Sequence, residues 1–80
     1  MTEPFHVQLA HARGWRRQED AARAVGVVPM TLSRWENGRG VPPSDALDKL
    51  CDYYELADAD RLRLFAAAGD SVRVVVEKRA

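Results

Sequence analysis

The side chains that could perform general acid and base chemistry lie in one acidic stretch between residues 45 and 55. Its carboxylates are three or four residues apart, the spacing that places side chains on one face of a helix: Asp45, Asp48, Asp52 and Glu55. They occupy the polar side of a helix whose other side is apolar, so we expect them to be solvated. The sequence shows no nucleophile paired with a base and no glycine-rich phosphate loop. We therefore expect that the protein is not an enzyme.

Metal binding is not expected either. His6 and His11 are five residues apart, which is not the spacing of a metal-binding pair on a helix, and Cys51 is the only cysteine. We expect no metal and no cofactor. A single cysteine suits a reducing compartment, no run approaches the roughly 20 apolar residues of a membrane span, and the first residues do not resemble a signal peptide. These features predict a cytoplasmic protein with no membrane segment.

The most informative segment is QEDAARAVGVVPMTLSRWENG, from Gln18 to Gly38. Two helices that meet at a steep angle need a small residue where they cross and, in the turn, a residue that tolerates a positive φ. Ala22 and Gly26 meet these two requirements at the right spacing. Pro29 suits the first turn of the second helix, from about Pro29 to Glu36. Five apolar residues can fill the angle between the helices: Ala21, Val25, Val27, Leu32 and Trp35.

The rest of the sequence predicts three more helices and a terminal strand. The inward side chains expected for the first, fourth and fifth helices follow helical spacing: Phe5, Leu9 and Ala12; Leu47, Leu50, Cys51 and Tyr54; Leu62, Phe65 and Ala66. Gly69 is expected to end the fifth helix, and the valine-rich segment Val72–Glu77 is typical of a strand. We predict an all-α bundle of five helices over residues 1–69, followed at 70–80 by a tail with a short β-strand.

The segment from Gln18 to Gly38 resembles the Xre family, the helix-turn-helix class that includes Cro and lambda repressor. The resemblance covers about Phe5 to Leu56 and rests on the opening Gln18, the alanine and glycine spacing, and the closing SRWENG. It implies a five-helix lambda-repressor-like fold whose second motif helix lies in the major groove of double-stranded DNA. The stretch from Arg13 to Gln18 is one residue longer than the usual spacing after the first helix.

The resemblance also implies which residues contact DNA. Since Leu32 and Trp35 should face the core, the opposite side of their helix presents the positions that read bases in the family: Pro29, Met30, Ser33 and Arg34. A guanidinium such as that of Arg34 can bond guanine O6 and N7 together, and apolar side chains suit thymine methyl groups. Contacts with phosphates are expected from a second set: Arg17, Gln18, Thr31, Asn37 and Arg39.

The charge balance leaves two functional classes open. The net charge is zero, but residues 1–40 carry six positive and four negative charges and residues 41–80 carry six and eight, which permits a basic face on the amino-terminal half. The neutral total and the apolar Val28, Pro29 and Met30 favour an alternative, a protein-interaction module such as an antitoxin with the same fold and an unknown partner. Arg34, Gln18 and the SRWENG ending favour DNA.

The tail bears on the oligomeric state. A lone strand at Val72–Glu77 would leave backbone groups unpaired, and pairing with the same strand of a second copy would give a twofold homodimer. Docking on its own helices, or a disordered end, are the alternatives. A dimer predicts an inverted-repeat operator. Because the sequence shows neither a ligand domain nor an activation segment, we expect a transcriptional repressor that acts by occupying a promoter.

Overall fold

The computed structural model describes the backbone of residues 3–79 and the side chains of residues 3–69. Five helices follow one another: α1 (Phe5–Arg13), α2 (Gln18–Val25), α3 (Pro29–Glu36), α4 (Ser44–Tyr53) and α5 (Asp58–Arg79). Helix α2 packs against α3 and α4, and α1 packs against α3 and α5. The predicted all-α bundle of five helices is confirmed.

One hydrophobic core joins all five helices. Its members are Phe5, Leu9, Ala21, Ala22, Val25, Leu32, Trp35, Leu47, Leu50, Cys51, Tyr54, Leu64 and Ala68. The inward side chains predicted for the first four helices are therefore confirmed, with Ala12 and Val27 packed against the core as partly buried residues. Trp35 and Leu32 determine which side of α3 faces the core. Their burial removes apolar surface from water, and this stabilises the packing of so short a helix against the bundle.

Two glycines occupy positions that other residues would strain. Gly26 ends α2 with a φ of 81°, and the next amide, that of Val27, donates to the carbonyl of Ala22 at 3.0 Å. This left-handed residue turns the chain sharply into α3, as the sequence predicts. Gly38 follows α3 with a φ of 76°, and a Cβ at this position would lie 3.1 Å from Nδ1 of His6. The chain therefore needs glycine at both ends of the α3 region.

The predicted carboxy-terminal strand is wrong. Helix α5 has 22 residues and passes Gly69 without a break, so Val72–Glu77 belongs to a helix, and no strand is present in residues 3–79. Extending an existing helix requires no new nucleus, and valine in a helix costs less than about 0.7 kcal/mol relative to alanine. The backbone groups of a helix are also paired within it, whereas a lone strand has no partner. Side chains from residue 70 onward lie outside the described part.

The inward side of α5 also differs from the prediction. Leu64 and Ala68 are buried, whereas Leu62 is 71% exposed and Ala66 is exposed. Phe65 is partly buried. This helix has apolar residues on two of its sides. The side that contains Leu64 packs against α1 and is therefore the buried one. No helix among the described residues combines the length and the apolar composition that crossing a membrane requires.

Candidate functional site

The side of α3 that faces away from the core forms the candidate site. Five residues line a shallow depression there, which we call the α3 face: Met30, Ser33, Arg34, Asn37 and Arg39. Met30 is 65% exposed, Arg34 and Arg39 are exposed, and Ser33 is half-buried. Pro29 is exposed in the first turn of the same helix. All four residues predicted to contact bases thus lie on α3, and three of them line this depression together with Asn37 and Arg39.

Arg34 and Arg39 differ from the other described arginines because neither has a carboxylate partner within residues 3–69. Every other arginine of residues 3–69 lies within 4.0 Å of a carboxylate oxygen: Arg13, Arg16, Arg17, Arg23, Arg61 and Arg63. The side-chain contact recorded for Arg34 joins its Nη2 to the Sδ of Met30 at 4.0 Å. A guanidinium stays protonated at any physiological pH, so the α3 face carries two positive charges that no neighbouring side chain neutralises.

Asn37 and Ser33 are joined within the α3 face. Nδ2 of Asn37 donates to the backbone oxygen of Ser33 at 2.7 Å and to its Oγ at 3.3 Å. The same carbonyl also accepts from the backbone N–H of Asn37 at 3.0 Å, so the side chain of Asn37 adds a second bond at the carboxy-terminal end of α3. The hydroxyl of Ser33 accepts from Asn37 and keeps its own proton for donation. Ser33 can therefore still donate to a ligand in the depression.

A partly buried polar cluster lies at the end of α3, and we call it the Glu36 cluster: Arg13, Gln18 and Glu36. Nε and Nη2 of Arg13 donate to the two carboxylate oxygens of Glu36 at 2.8 and 3.1 Å. Nε2 of Gln18 donates to Oε1 of Glu36 at 3.3 Å. The Glu36 side chain is only 6% exposed. The cluster therefore joins α1, α2 and the end of α3 through charge-assisted hydrogen bonds, which are among the stronger ones in proteins.

The pKa values of two groups at the Glu36 cluster are raised, those of Arg13 and Tyr54. The hydrogen bond to Glu36 raises the pKa of Arg13, although burial opposes this. Burial, and then the negative charge of Glu36, raise the pKa of Tyr54 well above its usual value of 10.0. The hydroxyl of Tyr54 is buried without a hydrogen-bond partner among the described residues. Both groups therefore keep their ordinary neutral-pH forms, a charged Arg13 and a neutral Tyr54.

The sequence model of one protein family, described as a helix-turn-helix domain, matches residues 7–64, well over half of the chain. The chain belongs to the helix-turn-helix domain family. The matched range contains α2, the turn, α3 and every residue predicted to contact DNA. No curated protein and no solved structure matches the chain. Helix-turn-helix domains bind DNA with the second helix of the motif in the major groove, which in this chain is α3.

Within this helix-turn-helix domain, three predicted phosphate contacts lie outside the α3 face: Arg17, Gln18 and Thr31. Arg17 is exposed and pairs with Glu19 at 3.2 Å, while Gln18 is half-buried and bonded to Glu36. Helix α2 has no side-chain cap, but its first turn carries Glu19 and Asp20, which oppose the attraction of the helix dipole for an anion. Phosphate contact by these residues stays a prediction.

Arg16, in the connection between α1 and α2, lies largely away from solvent. Its side chain is 17% exposed, and its guanidinium carbon lies 4.9 Å from the ring centre of Trp15 and 5.7 Å from that of Tyr54. Its Nη2 is 3.7 Å from a carboxylate oxygen of Glu55. Trp15 itself is 87% exposed. In this helix-turn-helix domain Arg17 therefore points outward, whereas Arg16 is neutralised against the bundle.

The sequence patterns indicate no role for Arg13 or Glu36. They are 23 positions apart, so no local pattern links them. The available signal was the position of Glu36 directly after the buried Trp35, which puts a carboxylate at the border of the core. Such a carboxylate needs a cationic or hydrogen-bonding partner.

Proposed function

We propose that this helix-turn-helix protein is a sequence-specific, double-stranded DNA-binding transcriptional regulator of the Xre type, which reads bases through α3. The observation that carries the proposal is the pair of unpartnered guanidinium groups of Arg34 and Arg39 on the exposed α3 face. A major groove admits a helix, and its edges and flanking phosphates attract such groups. Because binding needs only these contacts, the function requires no catalytic step and no cofactor.

The residues of α3 take different parts in this proposal. Arg34 bonds guanine O6 and N7, Ser33 donates its hydroxyl proton to a base, and Pro29 and Met30 contact apolar groups of the bases. Arg39 and Asn37 lie at the end of α3 and contact the DNA backbone. Such contacts set affinity and register, whereas the base contacts set sequence preference. Arg17, Gln18 and Thr31 would contribute further backbone contacts.

The proposed regulator is a homodimer that binds an inverted repeat and represses transcription in the cytoplasm by occupying a promoter. One eight-residue helix contacts few base pairs, and a second copy would double the number of positions read. Two recognition helices then meet half-sites about 34–36 Å apart. The proposal includes no pairing of strands between copies, since residues 72–77 are helical. Loss of the protein should raise expression of a reporter behind the bound promoter, and a fall would indicate activation.

Selection of duplexes from a random library, at near-physiological salt, tests the proposal. An enriched inverted repeat supports DNA reading by a dimer, and a single unrepeated motif supports DNA reading but contradicts the symmetric dimer. Arg34→Ala should lose the preference at one base position. Arg23→Ala is the matched control, because Arg23 is equally an exposed arginine but pairs with Asp20 on α2. Absence of enrichment by the folded wild-type protein would contradict the DNA function.

A second candidate function is a protein-interaction module such as an antitoxin. It is favoured by the apolar start of α3, where Val28 is 62% and Met30 65% exposed. Salt dependence separates the two candidates. If several phosphates are neutralised, DNA affinity falls steeply as salt rises, whereas a partner bound through apolar contacts is barely affected. A flat salt profile together with no enriched duplex would support the interaction module.

A further inference from the structure

The guanidinium of Arg34 lies against the thioether of Met30, with Nη2 and Sδ 4.0 Å apart. The two residues are four positions apart and therefore lie one above the other on the same side of α3. No carboxylate among the described residues contacts the guanidinium of Arg34 or the thioether of Met30. Both side chains line the open depression. Arg34 thus presents a hydrogen-bond donor, and Met30 presents an apolar group directly beside it.

The distance between the guanidinium of Arg34 and the thioether of Met30 is comparable with the spacing of neighbouring base pairs. Successive bases along one strand are about 3.4 Å apart, close to the 4.0 Å between Nη2 and Sδ. With its Sδ this close to the guanidinium, Met30 is within reach of the base pair next to a guanine that Arg34 bonds. In the major groove the only apolar group that an unmodified base pair presents is the 5-methyl group of thymine.

We propose that Met30 and Arg34 together recognise a 5-methylpyrimidine next to a guanine, with the methyl group against Met30 and the guanine bonded by Arg34. This inference rests on the proposed DNA function and specifies its ligand. The recognised group is the methyl, and both thymine and 5-methylcytosine carry it at the same ring position. The affinity of the protein for a site should therefore depend on cytosine methylation wherever cytosine stands at this position.

Two matched pairs of duplexes isolate the methyl group. Each of the two base pairs that flank the guanine in the selected site is substituted in turn. In the first pair of duplexes the flanking position carries thymine or uracil opposite adenine. In the second pair it carries 5-methylcytosine or cytosine opposite guanine. Within each pair only the methyl differs. At one of the two flanking positions the methylated member should bind about fourfold more tightly, the equivalent of the ~0.8 kcal/mol expected for one buried methyl-sized group.

Variants assign the effect to Met30. In Met30→Ala the affinity ratio within each pair should fall to about one, while the preference for guanine remains because Arg34 is intact. Met30→Leu should keep the methyl effect, since it keeps an apolar side chain of similar size. Leu62→Ala is the control, because Leu62 is similarly exposed at 71% but lies on α5. It should leave the ratio unchanged.

The outcomes separate this inference from the proposed function. Equal wild-type affinity for the methylated and unmethylated members, with the guanine preference retained, would overturn methyl recognition and leave the DNA function standing. An effect in the thymine pair alone would also overturn it, because the same methyl group would then act in one base and not in the other. A protein with no preference among duplexes would refute both.

Discussion

Arg34 and Arg61 lie in two regions of the molecule that surround the guanidinium with different partners. On the α3 face, Arg34 has a thioether beside it and no carboxylate. At the surface between α4 and α5, Arg61 donates to Asp48 and Asp52, and its hydrogen bond to Asp52 raises its pKa. A guanidinium that is already bonded to two carboxylates has few donors left for a phosphate or a base. Of these two arginines, Arg34 is the one with donors left to bind an anion or a base edge.

The comparison explains how a chain with no net charge can still present a DNA-binding surface. The charges of both signs are present in equal number, but the carboxylates lie beside most of the arginines and not beside Arg34 or Arg39. At physiological ionic strength charges act over about 8 Å, so a ligand at the α3 face responds to the local excess and not to the total.

The largest expected effect is on the stability of the domain and comes from a substitution in the Glu36 cluster. Glu36→Ala leaves Arg13 and Gln18 without their shared acceptor and should lower the free energy of unfolding by about 1.5–3 kcal/mol, the range for hydrogen bonds to charged groups. Urea unfolding followed by circular dichroism measures this. Glu19→Ala is the control, because its pair with Arg17 is exposed and should contribute less than about 1 kcal/mol. Equal effects of the two substitutions would show that the Glu36 cluster does not stabilise the domain.

The next effect concerns the base contact. Arg34→Ala should weaken binding to the selected duplex by about 1–3 kcal/mol and should change binding to a scrambled duplex far less, because a bidentate contact with guanine is lost only in the first. Fluorescence anisotropy with both duplexes measures the difference. The same loss on the two duplexes would show that Arg34 contacts phosphate and would place sequence reading elsewhere.

Arg39→Ala should have a smaller and uniform effect. We expect similar weakening on selected and scrambled duplexes, with the slope of log affinity against log salt reduced by about 0.9 for one lost phosphate contact. Titrations at several salt concentrations provide the slope. An unchanged slope would mean that Arg39, although unpartnered, does not reach the backbone.

The smallest effect is expected at the other region of the comparison. Arg61→Ala should leave the affinity for both duplexes within about twofold and the salt slope unchanged, since its charge is already neutralised by Asp48 and Asp52. A loss of affinity as large as that of Arg39→Ala would show that pairing with carboxylates does not determine which arginines bind DNA.

The sequence predicted those parts of the fold that depend on local spacing. Helical periodicity and the glycine and proline positions predicted α1 to α4 and their buried residues, because the pattern and the packing agree there. In α5, the preference of valine for strands suggested an ending that continuation of the helix overrides. Leu62 and Leu64 both fit an apolar stripe, and only the contact with α1 shows that Leu64 is the buried one.

The candidate site was predicted less completely than the fold. The exposed positions of Pro29, Met30 and Arg34 follow from the buried positions of Leu32 and Trp35 on the same helix. The Glu36 cluster does not follow from any local pattern, because Arg13 and Glu36 are far apart in the sequence. Nor does the distinction between Arg34 and Arg61, since it depends on which carboxylates the fold brings close to each arginine.

The most direct test of the α3 face is an NMR titration of the isotopically labelled protein with the selected duplex. The largest shifts should fall on the amides of residues 28–39 and on the side-chain Nε signals of Arg34 and Arg39, while the Nε signal of Arg61 stays in place. Shifts concentrated on α4 and α5, with residues 28–39 unchanged, would contradict the assignment of α3 as the DNA-reading helix.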